Sequence, residues 1–419
     1  MKVRSWLAIC TTTSTDSTAL FPKSQRPLLS DTSSSSDIAG SSTSISDSSY
    51  SSLQSNLSLQ TLPSVPSLQK ISSEDTANFS FSQVCITSLK PKPKHPIGCI
   101  AIRQSLLYAA SAHEINVYDR NTWSHLDTFN NDGSSSGSVK SIAFCNGKIF
   151  TAHQDGKIRV WQLTPRKRHN LKTTLPTVND RLRRFIFPKN YVNVRRHRRK
   201  LWIEHADAVT GLTVDDDLIF SVSWDKSLKI WQTSDLRCSE SIRAHEDAVN
   251  AVAVSADGTV YTGSADKRIR VWAKPFNEKR YGLTATLEKH KSAVNALALS
   301  DDGSVLFSGA CDRSILVWER EDSANHMVVR GALRGHSKAI LCLIKVSDLL
   351  MSGSADQTVR IWQQGNDGRY GCLAILEGHT KPVKTLAAVM EDGQNGTVSI
   401  FSGSLDGEIK VWQVSMPKD

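Results

Sequence analysis

Six times along the chain an Asp is followed, six residues later, by a Trp that closes a β-branched or aliphatic run: Asp155/Trp161, Asp225/Trp231, Asp266/Trp272, Asp312/Trp318, Asp356/Trp362 and Asp406/Trp412. A hydroxyl stands four residues before each Asp, at Thr151, Ser221, Thr262, Ser308, Ser352 and Ser402. The unit returns every forty to fifty residues, with one longer gap from Trp161 to Trp231. Self-similarity at that period marks modules that cannot bury their apolar faces alone and must stack into a solenoid or a ring.

Each unit reads as short alternating strands joined by tight turns. In one of them, Val249-Asn250-Ala251-Val252-Ala253-Val254 is a strand and Ser255-Ala256-Asp257-Gly258 a hairpin turn, Gly supplying positive φ. A second strand runs over 260–264, Asp266-Lys267 opens the next turn, and a third strand ends at Trp272, with a variable outer strand at 283–287. Four short antiparallel strands with such punctuation make one propeller blade. Six third strands end in the Trp residues above, and a seventh ends at Tyr118 in a contracted unit where Ala112 replaces the Asp. The expectation is an all-β, seven-bladed propeller. The chain stops one strand short after Trp412, so the stretch 81–89 is expected to supply the outer strand of blade seven and close the ring.

The pattern resembles the WD40-repeat family: Asp-x4-aliphatic-x-Trp, an upstream His, and Gly-Ser before the Asp, over about residues 80–415. It departs from that family's pattern in the residue after Trp, which is Gln162, Gln232, Ala273, Glu319, Gln363 or Gln413 and never Asp. More narrowly, Leu201-Trp202-Ile203-Glu204-His205-Ala206-Asp207-Ala208-Val209 and Gly403-Ser404-Leu405-Asp406 look like the plant JINGUBANG-type WD40 proteins. The resemblance implies a structural tetrad of His, hydroxyl, Asp and Trp in each good repeat.

Five units carry that His, at His205, His245, His290, His336 and His379. His, Ser/Thr and Asp are also the ingredients of a hydrolase triad. A catalytic triad is needed once, beside one oxyanion hole, whereas this set recurs at the period of the fold. Mutual satisfaction of polar groups in a turn explains the repetition better. Blade two has Ser135 at the His place and blade one lacks most of the set.

The formal charge of +10 is a local property. From 166 to 200 there are 13 Lys/Arg and one acid, so this stretch holds +12 and the rest −2. It contains Arg166-Lys167-Arg168 and Arg195-Arg196-His197-Arg198-Arg199-Lys200, and is read as a basic insertion at 164–200 between blades two and three. A solvated loop, a nuclear-import or docking element, and a nucleic-acid contact all fit its charge. Aromatic interleaving is sparse for a stacking platform. The apolar residues between the clusters, Phe185-Ile186-Phe187 and Tyr191-Val192, are expected to pack partly on the propeller.

Residues 1–78 form a Ser/Thr-rich tail in which 15 of the 29 residues from 30 to 58 are Ser. That composition is expected to stay disordered, as a phosphorylation platform or a solvated tail. The folded domain is expected over 79–415. No apolar run reaches the roughly 20 residues of a membrane span. The apolar stretch at 6–10 is shorter than the roughly 7–15 residues of a secretory signal. The eight cysteines lack Cys-x-x-Cys spacing and read as buried thiols of a reducing compartment, so the expected location is cytoplasmic, nuclear or both. No metal or cofactor is expected.

Recognition is expected on the rim that carries the His loops. The residues after the His are acidic in blades three and four (Asp207, Glu246, Asp247) and basic in blades five to seven (Lys291, Lys338, Lys381), a sign split that could steer a complementary partner. Trp224, directly before Asp225, is a typical hot-spot residue type or a packing residue. The leading expectation is a non-enzymatic scaffold that docks proteins or peptides, monomeric in itself. A substrate receptor of a cullin ubiquitin ligase is the alternative, on the partial motif Tyr118-Asp119-Arg120-Asn121. RNA association through the insertion is the third.

Overall fold

A computed structural model describes residues 65–69 and 82–415, apart from short stretches at 131–133, 166–167, 196–197, 216, 276–277, 322–325 and 392–395. Seven four-stranded antiparallel sheets cover residues 97–129, 139–175, 209–243, 249–287, 294–334, 340–376 and 383–415, the last completed from the N-terminal side. The inner strand of each blade touches the inner strands of both neighbours, and the seventh touches the first, so the ring closes. Closure comes from the strand Ser82–Leu89, which pairs antiparallel with Ile409–Ser415 from Leu89/Ile409 to Ser82/Ser415. An edge that would otherwise template pairing with another chain is thereby covered.

The alternation of each strand decides what it buries. The second strands are almost wholly buried because both their faces meet neighbouring blades: Leu349–Ser354 is buried at every residue. The apolar clusters lie between blades, each mixing residues of two neighbours. The Trp that closes each third strand fills such a seam: Trp231 joins Phe150, Ile158 and Leu175 of blade two, and Trp362 joins Phe307 and Ile315 of blade five. Blade one uses Tyr118 in that place, packed with Leu89, Phe401 and Val411 at the closing seam.

Two expectations are corrected here. The strand His169–Leu175 is the outer strand of blade two, so the inserted segment begins after it and not at 164. Leu171, Thr173 and Leu175 pair with the Trp161 strand. Second, residues 65–69, assigned from composition to a structureless tail, lie against the outer strands of blades five and six. The Ser-rich stretch at 30–58 lies outside the described residues.

Candidate protein-docking rim

In blades three to seven the structure brings His, hydroxyl, Asp and Trp together. In blade six His336 Nδ1 meets Asp356 Oδ2 at 2.8 Å, His336 Nε2 meets Ser352 Oγ at 2.8 Å, and the Trp362 indole donates to Ser352 Oγ at 2.9 Å. The corresponding His–Asp separations are 3.1 Å for His205/Asp225, 2.9 Å for His245/Asp266, 2.9 Å for His290/Asp312 and 3.0 Å for His379/Asp406. The indoles of Trp231, Trp272, Trp318 and Trp412 reach Ser221, Thr262, Ser308 and Ser402 at 2.8–2.9 Å. With Asp on Nδ1, the His Nε2 accepts from the hydroxyl, the proton arrangement of a hydrolase triad. Yet all five hydroxyl residues have 0% exposure, so nothing outside the protein can reach the oxygen. The same chemistry that could activate a nucleophile here ties a turn to a seam.

The Asp also shapes its own turn. The residue after it has positive φ in all six repeats, at Gly156, Lys226, Lys267, Arg313, Gln357 and Gly407. Four of these are not glycine, and the left-handed conformation costs an L-residue roughly 1–2 kcal/mol. The carboxylate offsets that strain by accepting the backbone N–H two residues on, at 2.8–3.0 Å in Asp155, Asp225, Asp266, Asp312, Asp356 and Asp406. Burial pushes the Asp266 and Asp312 carboxyls up, but the hydrogen bonds and charge of their His partners outweigh it and hold both at about 2. Asp225 and Asp356 lie further below the usual carboxylate range for the same reasons.

Blade two is rewired. Ser135 does not replace the absent His; His153, two residues before the Asp and on the strand itself, places Nε2 2.7 Å from Thr151 Oγ1. Trp161 still donates to Thr151 at 2.9 Å, while Asp155 pairs with Arg159 at 2.8 Å. His153 Nδ1 is buried without a hydrogen-bond partner, and burial first, then the nearby Arg159 charge, pull the imidazole down to about 3. A second, part-buried pair, His169 with Asp127 at 2.8 Å, joins the outer strands of blades one and two, His169 stacking on Phe129. Nothing in the repeat pattern pointed to it, because outer strands vary.

The tetrads fix the loops that carry the proposed rim residues. In blades three, four, six and seven the Ser two before the Asp donates to a carbonyl in the loop after the His: Ser223 to Asp207, Ser264 to Asp247, Ser354 to Lys338 and Ser404 to Lys381, at 2.8–3.2 Å. Blade five has Ala310 there, and its loop is held by the Cys311 N–H on the Ala293 carbonyl at 2.9 Å. Asp207, Glu246, Asp247, Lys291, Lys338 and Lys381 are all exposed. Glu246 pairs with Arg243 at 3.1 Å across open solvent, a contact of little energetic weight. The three lysines have no ion-pair partner among the described residues. Trp224 is half-buried, with the Lys140 ammonium 5.7 Å from its ring centre.

Sequence reading missed the residues one layer further in. The second residue of each inner strand faces the next blade, and in three blades it clamps that blade's first carbonyl: Thr210 to Val249 at 2.7 Å, Asn250 to Val294 at 2.9 Å and Asn295 to Ile340 at 2.7 Å. Lysines stand at this place in blades two and seven, Lys140 and Lys384, and Gly98 in blade one between them. Burial, then the Lys384 charge, lower the Lys140 ammonium to about 8. Lining up the seven inner strands in sequence would have found this set.

The inserted segment folds as a short helix, α1 (Val178–Arg184), and a hairpin of Tyr191–Arg195 with Arg198–Leu201. Thr177 caps the helix, accepting from the Asp180 N–H at 3.2 Å. Arg184 bonds the buried Asp180 at 2.9 Å and lies 4.6 Å over the Trp202 ring. Leu201 and Ile203 enter the core, and the buried Lys229 ammonium reaches the Trp202 carbonyl. The apolar residues expected to pack do not: Phe185, Ile186, Phe187 and Val192 are 50–68% exposed. Arg166, Lys167 and Arg196 lie outside the described residues, as do the side chains of Arg195 and Arg198. Of the described basic residues, Arg168 lies apart from Arg199 and Lys200. Arg168 sits in the turn at the Trp end of the outer strand, and Arg199 and Lys200 belong to the connection at its other end. Seven strand residues at roughly 3.3 Å each separate the two ends by about 20 Å.

At the opposite rim, Arg120 of the motif beginning at Tyr118 is committed. Its guanidinium takes both oxygens of Glu391 at 3.0 Å and the Gln104 carbonyl at 3.1 Å. Seven described cysteines are free thiols, Cys85 exposed on the closing strand; burial pushes Cys238 and Cys342 up to about 12. Among the described residues no cluster of three His, Cys, Asp or Glu has the geometry to hold a metal, and no helix is long and apolar enough to cross a membrane.

The family model for the WD domain, G-beta repeat, matches residues 197–232, 236–273, 282–319, 328–363 and 370–413, which are blades three to seven with their His loops. Blades one and two fall outside the match, consistent with their missing or rewired networks. The chain is 24% identical over 235 residues to telomerase protein component 1 of Rattus norvegicus, covering 52% of this chain and 9% of that protein. It is 25% identical over 219 residues to the ribosome biogenesis protein YTM1 of Coccidioides immitis (51% and 42%). It is also 23% identical over 329 residues to a putative E3 ubiquitin-protein ligase LIN-1 of Lotus japonicus (69% and 20%). The chain thus spans less than half the length of each of these relatives. Five matched repeats in a closed ring of seven blades place the chain in the WD40-repeat family, whose propellers act as interaction scaffolds.

Proposed function

We propose that this protein is a non-enzymatic adaptor that docks proteins or peptides on the rim bearing the His loops, in a regulatory role linked to signalling or transcription in a plant cell. One observation carries the reading. The groups able to do chemistry are sealed into the seams, while Asp207, Glu246, Asp247, Lys291, Lys338 and Lys381 stand exposed on loops whose carbonyls are pinned. Rigidly held loops on a stable ring suit recognition. Acidic blades three and four beside basic blades five to seven suit a partner of complementary dipolar charge, with steering that weakens as salt rises. Trp224, half-covered by Lys140, offers an aromatic face to such a partner.

The ubiquitin-ligase alternative draws on the Lotus japonicus relative, but the chain spans 20% of it and Arg120 is held by Glu391. The RNA alternative needs one basic surface, whereas the described Arg168 lies at the opposite end of an outer strand from Arg199 and Lys200. The basic segment also fits an import or docking element. Location in the cytoplasm, the nucleus or both belongs to the same proposal. Proximity labelling with the full chain tests it, compared with a variant carrying Lys291→Glu, Lys338→Glu and Lys381→Glu. The reading expects a defined set of neighbours to drop out at unchanged melting temperature. An identical labelled set would overturn it. Recovery of a cullin adaptor by both proteins would favour the alternative.

A further inference from the structure

The blades of a ring diverge outward, leaving a wedge between neighbouring outer strands. Between blades five and six this wedge is filled by residues 65–69, Val65-Pro66-Ser67-Leu68-Gln69. The segment runs parallel to the outer strand of blade five (His326–Arg334), whose edge would otherwise be open: Ala332 N–H donates to the Pro66 carbonyl at 2.9 Å, and Leu68 N–H to the Ala332 carbonyl at 3.1 Å. On its other side Tyr370 N–H, at the start of the outer strand of blade six, donates to the Leu68 carbonyl at 2.9 Å. Arg334 holds the Val65 carbonyl at 2.9 Å, and the Gln69 amide reaches the Arg334 carbonyl. Val65 joins the apolar cluster between blades four and five, and Leu68 the one between blades five and six. Proline suits such an edge, since its missing N–H is not needed there.

Gly331 makes the room. A Cβ at this position would stand 2.4 Å from Leu68 Cγ and 2.9 Å from the Pro66 carbonyl oxygen. The glycine lies beside a bulge where the blade-five register slips between Val317 and Trp318, which re-aims the edge. Main-chain pairing on both sides with an apolar anchor is the chemistry of strand addition, in which backbone bonds give affinity and pockets for side chains give selectivity.

We infer that the seam between blades five and six is a peptide-docking slot, held in cis by residues 65–69 and open in trans to an extended partner segment of the form aliphatic-Pro-x-Leu-Gln. It is separate from the His-loop rim and does not depend on it. Twelve residues, 70–81, tether the cis segment to the closing strand. Covalent attachment makes the cis segment an intramolecular competitor, so a free peptide is outcompeted until the cis segment is weakened.

The test uses the full chain and a fluorescent synthetic peptide of residues 62–72. Leu68→Asp in the protein places a charge in the apolar seam and should empty the slot. The peptide should then bind at least tenfold more tightly than to the wild type, and exchange of the Ala332 amide hydrogen should accelerate. Adding Gly331→Val to that protein should abolish binding. Arg334→Ala, which leaves the blade backbone alone, should weaken it several-fold, and so tests the slot even if Gly331→Val fails to fold. Equal peptide affinity for wild type and Leu68→Asp, with Ala332 equally protected, would overturn cis occupancy. Loss of Ala332 protection without saturable peptide binding would overturn the slot as a docking site.

Discussion

At the scale of single residues the account turns on polar groups that can be satisfied only together. Replacing Asp356 by Ala strands the His336 Nδ1–H and the Thr358 and Ser337 amides, so stability should fall by roughly 1–3 kcal/mol in a denaturant titration. An unchanged midpoint would contradict the network. His153 gives a pH prediction whose sign follows from its depressed pKa. The unfolded chain binds a proton near pH 6.5 and the folded chain only near 3, so stability is full above about 6.5 and is lost as pH falls toward 3. By pH 5 the loss from this group is about 2 kcal/mol. His205 and His379 are lowered too, by burial, and act in the same direction. Asp266 and Asp312 add a second loss between about pH 4 and 2. Five other blades carry Ser at the His153 place, so His153→Ser should flatten the fall in melting temperature between pH 7 and 5. An equally steep profile in the variant would remove His153 as the cause.

At the scale of elements, legibility followed locality. Strand, turn and Trp recur within one repeat, and so does the Ser–His–Asp geometry; hence blade number, closure and the five tetrads could be read from spacing. His153 could not, because the substitute partner arrives from two residues along the same strand and not from the expected loop. Exposure of Phe185, Ile186 and Phe187 was misjudged because apolar content says nothing about whether the turn that follows a short helix finds a neighbour. Residues 65–69 were hidden by the low-complexity composition around them. Removing residues 79–90 should expose the edge of Ile409–Ser415 and cause aggregation or loss of cooperative unfolding, seen by light scattering and calorimetry. Removing residues 1–64 should leave the melting temperature unchanged, whereas removing 1–70 should cost about 1 kcal/mol through the exposed seam at Leu68. Equal stability of the two truncations would deny the segment any packing role.

At the scale of the whole molecule, a net charge of +10 conceals a nearly neutral ring with basicity gathered in one stretch. The ring's rigidity comes from seams and clamps that are complete in blades three to five and thinner near blades one and two, where the family model also loses the pattern. The central claim is the proposal that the His-loop rim is the main surface on which this protein meets partners, the outer seam of blades five and six being a separate peptide slot. Photo-crosslinking measures this directly, with a benzoylphenylalanine placed at Asp247, at Lys291 and, as a wall control, at Lys172, each in the full chain. The account predicts discrete crosslinked partners from the two rim positions that fade with added salt, and none of these from Lys172. The same adducts from all three positions, or from Lys172 alone, would contradict it.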